Sequence, residues 1–349
     1  AIAVMKDDSR DIAYERGIRN DVGKIKRFFT KLKEKGSLIL ACYEAGPTGY
    51  ALYRQLTEMG IQCVIAAPSL LPRKPGDKIK TDRRDAVLLV KALRNREITQ
   101  VHVLNRSDEA VRDYLRMCED LRGDLKRAKQ RLLQFLLRLG FKYDSAKAYW
   151  TQAHRVWMKG LPFEHPLQKT TFQELYTVVC EREEKIVRFE EKIEELAAEE
   201  RYEEKVSNLK CLKGIQTFTA LSIVAEIGDF RRFVCAREFM AYLGLVPSEH
   251  SSGERSRRGG ITKAGNSRLR RLLVESSWHY QTYNPSKRLA ARRKGKDPQL
   301  IAYADKAGRR LSKKYQKFVR RGKVKQKAVI ALARELSGFI WGIMLGKTA

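Results

Sequence analysis

The sequence of residues 37–66, SLILACYEAGPTGYALYRQLTEMGIQCVIA, alternates apolar and helical segments. Residues 37–43 form an apolar run with the length and composition of a buried strand, and residues 62–66 form a second. Between them, a turn at 45–50 with Gly and Pro leads into a helical pattern that Gly60 closes. Strand, helix and strand in this order predict a mixed α/β sheet.

The residues before this stretch extend the sheet. Residues 1–5 and 12–16 are predicted strands, and the polar turn between them makes a hairpin. Asp21 can cap a helix whose apolar residues recur at helical spacing, namely Val22, Ile25, Phe28, Phe29 and Leu32. Because the chain begins directly in a strand without an initiator Met, we expect the given sequence to start within a domain.

Three carboxylates occupy positions suited to a cation. Glu44 follows the 37–43 strand directly, and in open α/β sheets ligands bind at the carboxyl ends of strands. Asp82 and Asp85 lie three residues apart at the start of a helix that Thr81 or Asp82 can cap, so they project from one face of its first turn. Converging carboxylates are the usual ligands of Mg²⁺. An equal alternative is that both aspartates serve the helix dipole and pair with the adjacent arginines.

Two long helices are predicted after residue 106. The first covers 107–139 and the second 167–206. The second carries a heptad seam with one polar residue, made of Leu175, Val179, Arg182, Ile186, Phe189, Ile193 and Leu196. This seam suits either a hairpin with the first helix or a dimerising coiled coil. The aromatic residues of 140–166 are predicted to pack into a cluster, in preference to a surface on which bases stack.

Residues 244–266, GLVPSEHSSGERSRRGGITKAGN, are named here the serine segment. Their composition predicts a long loop, and loops of this length are either disordered or functional. The hydroxyls of Ser251 and Ser252 can bind a phosphate or attack it. The cations that would attract such a phosphate are Arg255, Arg257, Arg258 and Lys263. The competing interpretation is a solvated basic loop.

The balance of charge indicates a nucleic-acid partner. The 349 residues include 71 Lys and Arg against 41 Asp and Glu, a net charge of +30. Residues 253–325 hold 23 Lys and Arg against four Asp and Glu, an excess that needs an anionic partner. Six cysteines without a C-x-x-C pair indicate reduced thiols in the cytoplasm and neither disulfides nor zinc. The apolar run 328–345 contains Arg334 and Glu335, so we expect a packing helix and no membrane partner.

A further pattern lies in residues 209–227. A helix, a Lys213-Gly214-Ile215 turn and a second helix resemble the helix-hairpin-helix element, whose loop amides hold a backbone phosphate. Gln216 stands where that motif usually has a second Gly. We therefore expect Lys213 and Gly214 to contact nucleic acid.

Three segments in order resemble one family. They are Cys42-Tyr43-Glu44-Ala45, then KTDRRDA at 80–86, then the GLVP, SG and KAGN of the serine segment with the following Leu269-Arg270-Arg271. With the long helical insert between the second and the third, they are similar to the insertion-sequence transposases of the family numbered one hundred and ten, whose relatives are the pilin-gene invertases. Each segment alone would be weak evidence.

This resemblance implies an architecture and a place of action. Residues 1–105 would be a RuvC-like DEDD catalytic domain with the mixed sheet of RNase H. Residues 106–206 would be a helical coiled-coil region, and 207–349 a basic, mainly α C-terminal transposase domain with the helix-hairpin-helix-like element and the serine segment. The expected location is the bacterial cytoplasm, in association with the nucleoid.

The resemblance also implies a chemistry and partners. In the family four carboxylates bind two Mg²⁺ ions, and Glu44, Asp82 and Asp85 match the last three. Ser252 matches the nucleophilic serine, with Ser251 as the near alternative. The partners implied are donor and target DNA, a structured guide RNA from the element, and further copies of the chain in a homodimer or homotetramer. Further nucleic-acid contacts are expected from Arg268, Arg270 and Arg271.

One element of the family pattern is absent. The first Asp should lie on the opening strand, and Asp7 and Asp8 come too late, in a turn, to replace it. Either a preceding segment supplies it or this copy is degenerate. Two rival functions follow: a metal-dependent nuclease of the Holliday-junction type, in which water attacks, and a catalytically inactive remnant that binds DNA or RNA.

Overall fold

A computed structural model of the chain describes residues 1–9, 11–34, 36, 38–71, 81–144, 148–252 and 255–348, without the side chains of Glu15, Ser69, His250, Arg255 and Ser256. The described chain divides into two compact units, Ala1–Asn105 and Arg106–Ala349. Residues 72–80, including Lys80 of the 80–86 segment, lie outside the described residues, and so does Gly253.

The strands of the first unit form two small sheets. β1 (Ile2–Met5) pairs antiparallel with β2 (Ile12–Arg16), which confirms the predicted hairpin. β3 (Leu40–Glu44) pairs in parallel with β4 (Gln62–Ala66). The mixed α/β character predicted for this part of the chain is therefore present.

Three helices cover these strands: α1 (Val22–Lys33), α2 (Ala51–Glu58) and α3 (Asp82–Arg94). The Asp21 carboxylate accepts a hydrogen bond of 2.8 Å from the third amide after it and caps α1, as predicted. Of the two candidate caps for α3, Thr81 is the one used, because its hydroxyl accepts from the third amide after it at 3.3 Å.

β3 is not the buried strand that its composition predicts. Leu38 lies before the strand and is 93% exposed, and Leu40 is 47% exposed. β4 is the buried strand, with Ile65 and Ala66 fully inaccessible. Its backbone bonds to β3 on one side and to residues 99–101 on the other, whereas the apolar side chains of β3 line a cavity of about 340 Å³ that β1, α1 and α3 also line.

The second unit is almost entirely helical. Its helices in the described residues are α4 (Arg106–Arg138), α5 (Gln152–Lys159), α6 (Pro166–Ala197), α7 (Glu200–Leu209), α8 (Thr217–Ile227), α9 (Ala236–Tyr242), α10 (Ser267–Ser277), α11 (Lys287–Arg293), α12 (Pro298–Arg320) and α13 (Lys325–Met344). The core surrounds α8 and α13, whose Leu221, Ile223, Leu332 and Leu336 are fully buried. α13 is thus a packing helix, and across the described residues no helix has the length and apolar character to cross a membrane.

α4 and α6 pack along each other within the chain. The seam residues Val179 and Ile193 are buried, and Phe189 stacks on Tyr114 with ring centres 4.5 Å apart. The hairpin alternative is therefore the one observed, while coiled-coil supercoiling and dimerisation stay predictions. The single helix predicted over 167–206 is in fact two, since α6 ends at Ala197 and α7 begins at Glu200.

Residues 140–166, for which the sequence predicts no helix, contain the eight-residue helix α5. Their aromatic side chains pack against α4 and α6, as the cluster interpretation expects. His154 is fully buried among the rings of Tyr143, Tyr149, Trp150 and Trp157. A helix this short has too few turns to impose a clear period on so aromatic a sequence.

The serine segment is a β-hairpin, so the predicted long loop is wrong. β5 (Pro247–Ser252) pairs antiparallel with β6 (Arg255–Ile261), from Pro247 opposite Ile261 to Ser252 opposite Arg255. Residues poor in strand propensity form the ladder because its hydrogen bonds join backbone groups, which every residue except Pro supplies in full.

The α4–α6 hairpin offers a matched test of its packing. Leu132 and Leu137 lie on the same helix, but Leu132 is fully buried and Leu137 is 58% exposed. We expect Leu132→Ala to lower the free energy of unfolding by about 2–5 kcal/mol, through lost apolar burial and the cavity left behind. Leu137→Ala should change it by less than about 0.5 kcal/mol. Urea unfolding followed by circular dichroism measures both, and equal effects would contradict this packing.

Candidate functional site

The predicted metal ligands lie in the first unit, at two element ends. Glu44 is the last residue of β3, and Asp82 and Asp85 occupy the first turn of α3. α3 packs on β3, where the Cys42 thiol lies 3.7 Å from the Leu89 carbonyl oxygen. Burial raises the pKa of that thiol to about 12, so it stays protonated at neutral pH.

The chemistry of the three carboxylates suits Mg²⁺, but their placement does not. Carboxylate oxygens are the ligand type that Mg²⁺ prefers. However, the described residues contain no group of three or more His, Cys, Asp or Glu side chains placed to hold a metal ion. The three carboxylates therefore fit the ion by chemistry but are not gathered around one point.

The two serines of the serine segment lie on opposite faces of the hairpin. Side chains alternate along a strand, so Ser252 and Arg257 share one face by register, and Ser251, Glu249 and Arg258 share the other. The Ser251 hydroxyl donates to the Glu249 carboxylate at 2.8 Å, and the same carboxylate lies 3.6 Å from the Arg258 guanidinium. Within the described residues, the exposed Ser252 hydroxyl has no hydrogen-bond partner.

The predicted cations of the serine segment occupy different parts of the hairpin. Arg257, Arg258 and Lys263 are exposed, and Lys263 adopts a φ of 56° where the chain leaves β6. Arg255 lies opposite Ser252 in the ladder, but its side chain is outside the described part. Among the described side chains, the end of the hairpin near Ser252 is thus basic apart from Glu249.

The predicted cations of α10 make contacts inside the fold. Arg268 donates to Glu119 of α4 at 2.5 Å, and Arg271 also binds Glu119. Arg270 donates from one nitrogen to the carbonyl oxygens of Leu243 at 2.8 Å and Ala264 at 2.9 Å. Desolvation lowers the pKa of Arg270. These contacts hold the hairpin base, and nucleic-acid binding by the three arginines stays a prediction.

Two glycines close the base of the hairpin. Gly244 and Gly265 have φ of 63° and 68°, in the left-handed region. A Cβ on Gly265 would clash with the Tyr242 carbonyl oxygen, and one on Gly244 would lie 2.6 Å from the amide nitrogen of Ala264. The two ends of the serine segment can approach this closely only because neither glycine carries a side chain.

A nearly buried carboxylate lies beneath this base. The Glu226 side chain on α8 is 7% exposed and accepts two hydrogen bonds from Arg116 of α4, at 2.7 and 2.9 Å. It also accepts one of 2.8 Å from Asn266, whose own oxygen caps α10. Sequence reasoning missed Glu226 and Arg116. The available signal in the sequence was Glu226, the single carboxylate of the otherwise apolar segment 217–227. A carboxylate in apolar surroundings needs a charged or hydrogen-bonding partner.

The predicted helix-hairpin-helix turn between α7 and α8 is engaged by the fold. The Lys213 ammonium donates to the Thr282 carbonyl at 2.7 Å, and desolvation lowers its pKa. Gly214 has a φ of 83°, and a Cβ there would lie 2.6 Å from the Ser276 carbonyl oxygen. The turn therefore packs against α10 and the residues after it. Phosphate binding by Lys213 and Gly214 stays a prediction.

Comparison with known proteins identifies the class. Residues 1–141 match the model of a DEDD-type transposase family, and residues 206–291 match the family described as Transposase IS116/IS110/IS902. The chain is 37% identical over 346 residues to a putative transposase of Sinorhizobium fredii, across 98% of this chain and 85% of that protein. It is 38% identical over 322 residues to the transposase for insertion sequence element IS1533 of Leptospira borgpetersenii, across 90% and 92%.

The chain therefore belongs to the IS110 family of insertion-sequence transposases. A more distant relative, the transposase for insertion sequence element IS1111A of Coxiella burnetii, is 29% identical over 231 residues. The family resemblance inferred from three short segments is confirmed at the level of the transposase family and of its two domains.

The glycines of the hairpin base provide a test. Gly265→Ala should destabilise the protein by about 2 kcal/mol or more, because Ala is strained at this φ and its methyl group meets backbone. Gly260→Ala is the control, since a Cβ there has nothing within 4 Å. Hydrogen exchange of the β5 and β6 amides should accelerate in Gly265→Ala alone. Unchanged exchange in both variants would show that the close approach at the base is unimportant.

Proposed function

We propose that this transposase cuts and rejoins DNA through the hydroxyl of Ser252, with Glu44, Asp82 and Asp85 as Mg²⁺-binding carboxylates. The observation that carries the proposal is the placement of Ser252 at the exposed end of the hairpin, with no hydrogen-bond partner among the described residues and with Arg257 on its face. An unengaged hydroxyl beside a cation can meet a phosphodiester directly.

The exchange of DNA strands would conserve the number of phosphate ester bonds. The Ser252 oxygen attacks phosphorus and forms a phosphoserine ester, while one P–O ester bond of the DNA breaks and the departing DNA oxygen takes up a proton. A DNA hydroxyl of the exchanged strand later attacks the same phosphorus, and the serine oxygen leaves with a proton. Because a phosphodiester is broken and another is formed, no external source of energy is required.

The cations of the hairpin would stabilise the negative charge that develops on the phosphate during attack. Attack raises the negative charge on the non-bridging phosphate oxygens, and fixed positive groups near them lower the barrier. Arg257 is suited to this role because it shares the face of Ser252, and Arg255 lies opposite Ser252 in the ladder. Arg258 and Lys263 would anchor the flanking phosphates of the strand.

Ser251 is the second candidate, and one observation favours it. Its hydroxyl already donates to the Glu249 carboxylate at 2.8 Å, a contact that could take up its proton. However, the same carboxylate repels an approaching phosphate. No carboxylate is described on the face of the hairpin that carries Ser252. We therefore assign the attack to Ser252.

The partners follow from the family and from charge. The proposed partners are donor DNA, target DNA, a structured guide RNA and further copies of the chain. In the proposed homodimer or homotetramer, the carboxylates of one subunit act with the serine of another. The net charge of +30 supports a polyanionic partner, because such an excess attracts phosphate backbones at long range.

The serine assignment is tested by trapping. Wild-type protein incubated with element-end DNA should yield a covalent protein–DNA adduct that survives denaturation, and Ser252→Ala should abolish it. Ser251→Ala should retain it, because that hydroxyl lies on the other face. An adduct lost only in Ser251→Ala would move the attack to Ser251. Strand cleavage without an adduct in any variant would favour hydrolysis by water.

The carboxylate assignment is tested separately. Asp82→Asn with Asp85→Asn should reduce strand cleavage at least about 100-fold at every Mg²⁺ concentration, since the neutral amides bind Mg²⁺ poorly. DNA binding without Mg²⁺ should be unchanged. Asp8→Asn, an exposed aspartate of the same unit, is the control and should cleave normally. Full cleavage by the double variant would refute a metal role for these residues.

A further inference from the structure

Helix α12 carries two sets of cations, and the fold pairs only one of them with a carboxylate. Arg310 and Lys314 lie toward α13 and bind the Glu335 carboxylate, Lys314 at 2.5 Å. Desolvation raises the pKa of the Glu335 carboxyl, which is 13% exposed, but these bonds outweigh it and hold that pKa below its usual range. Arg310 and Lys314 are thus neutralised within the protein.

The face of α12 opposite its buried residues presents a second set of cations, named here the basic row. Its members are exposed and recur every three or four residues along the helix: Lys306, Arg309, Lys313, Lys317 and Arg320. At 3.6 residues per turn and 1.5 Å per residue, they fall within about 80° of one another around the axis and span about 21 Å. Arg309 lies near Asp305, and none of the others has an ion-pair partner among the described residues.

A groove lies beside the last turns of this row. It is a shallow groove, open to solvent, between side chains at the end of this one helix, and it is lined by Ser312, Lys313, Gln316, Lys317, Arg320 and Arg321. Four of these six residues are cations and none is a carboxylate, so the groove suits an anion. The Gln316 amide donates to the Gln281 carbonyl at 2.7 Å, which fixes one wall.

The helix dipole does not account for the row. Cations in the last turn, here Lys317 and Arg320, are stabilised by the negative end of a helix, but the effect fades beyond one turn. Lys306 and Lys313 lie farther from that end. Mutual repulsion makes such a row unfavourable in the free protein, and an anionic partner would relieve the repulsion.

We infer that the basic row is a docking surface for the phosphate backbone of double-helical DNA. The major groove of B-form DNA and its flanking phosphates admit an α-helix, whereas that of A-form RNA is too narrow. Single strands are held by stacking on aromatic rings, and the row contains none. The inference rests on membership of a transposase family and holds whichever residue attacks the DNA.

Binding of this kind positions DNA without selecting its sequence, and it depends steeply on salt. The test variant is Lys313→Gln, Lys317→Gln and Arg320→Gln in the full chain. Gln has nearly the helix propensity of Lys and Arg, so α12 should be retained. Fluorescence anisotropy with two unrelated labelled duplexes should show weaker binding to both. The slope of log K against log salt should become shallower by about 2–3, because each lost phosphate contact removes about 0.9.

The matched control removes three exposed cations from α6 by Lys169→Gln, Lys185→Gln and Arg188→Gln, and should keep the wild-type slope. Binding is measured without Mg²⁺ and without strand cleavage, which separates this surface from the chemistry. Lys313→Arg with Lys317→Arg keeps the charge and should keep the binding even if the Gln variant is unstable. A slope unchanged in the Gln variant, equal losses in both triple variants, or a loss confined to duplex RNA would overturn the inference.

Discussion

The second unit depends on one nearly buried carboxylate. Glu226 lies on the most apolar helix of that unit and binds Arg116 of α4 and Asn266, the residue that caps α10. A carboxylate in such surroundings is unfavourable unless its oxygens are hydrogen-bonded, so three separate parts of the chain must meet at one point. The return strand of the serine hairpin ends just before Asn266, and the direction in which the hairpin leaves the core is therefore tied to this contact.

The cations of the second unit divide into two classes. Arg268, Arg270 and Arg271 are engaged by Glu119 and by backbone carbonyls, and they build a rigid base. Arg257 and the basic row of α12 are exposed. A cation thus serves the fold where a carboxylate or carbonyl faces it, whereas Arg257, Lys306, Lys313, Lys317 and Arg320 have no ion-pair partner among the described residues. A flexible chain can hold a hydroxyl near phosphorus only if the base beneath it is fixed, which is the physical link between these two classes.

Much of the first unit was predictable because its signals are local. The Asp21 cap, the helix that it begins, and strands β2 and β4 at 12–16 and 62–66 each depend on residues within one turn or one strand. Predictions failed where distant contacts decide. β3 was expected to be buried, yet its exposure depends on which strands pair with it. The serine segment was expected to be a loop, yet its two halves form a ladder whose backbone bonds are indifferent to composition.

By itself the sequence determined the family, through three short segments in order, and the chemical types available at the site, since serine, carboxylate and guanidinium are properties of single residues. The tertiary structure decided which of them are available. It placed Ser251 beside Glu249 and left Ser252 on the other face, and it paired Arg268 and Arg271 with Glu119, about 150 residues away along the chain. The physical reason is that charge and hydrogen-bonding capacity belong to a residue, whereas their neutralisation depends on whatever folding brings within about 3 Å.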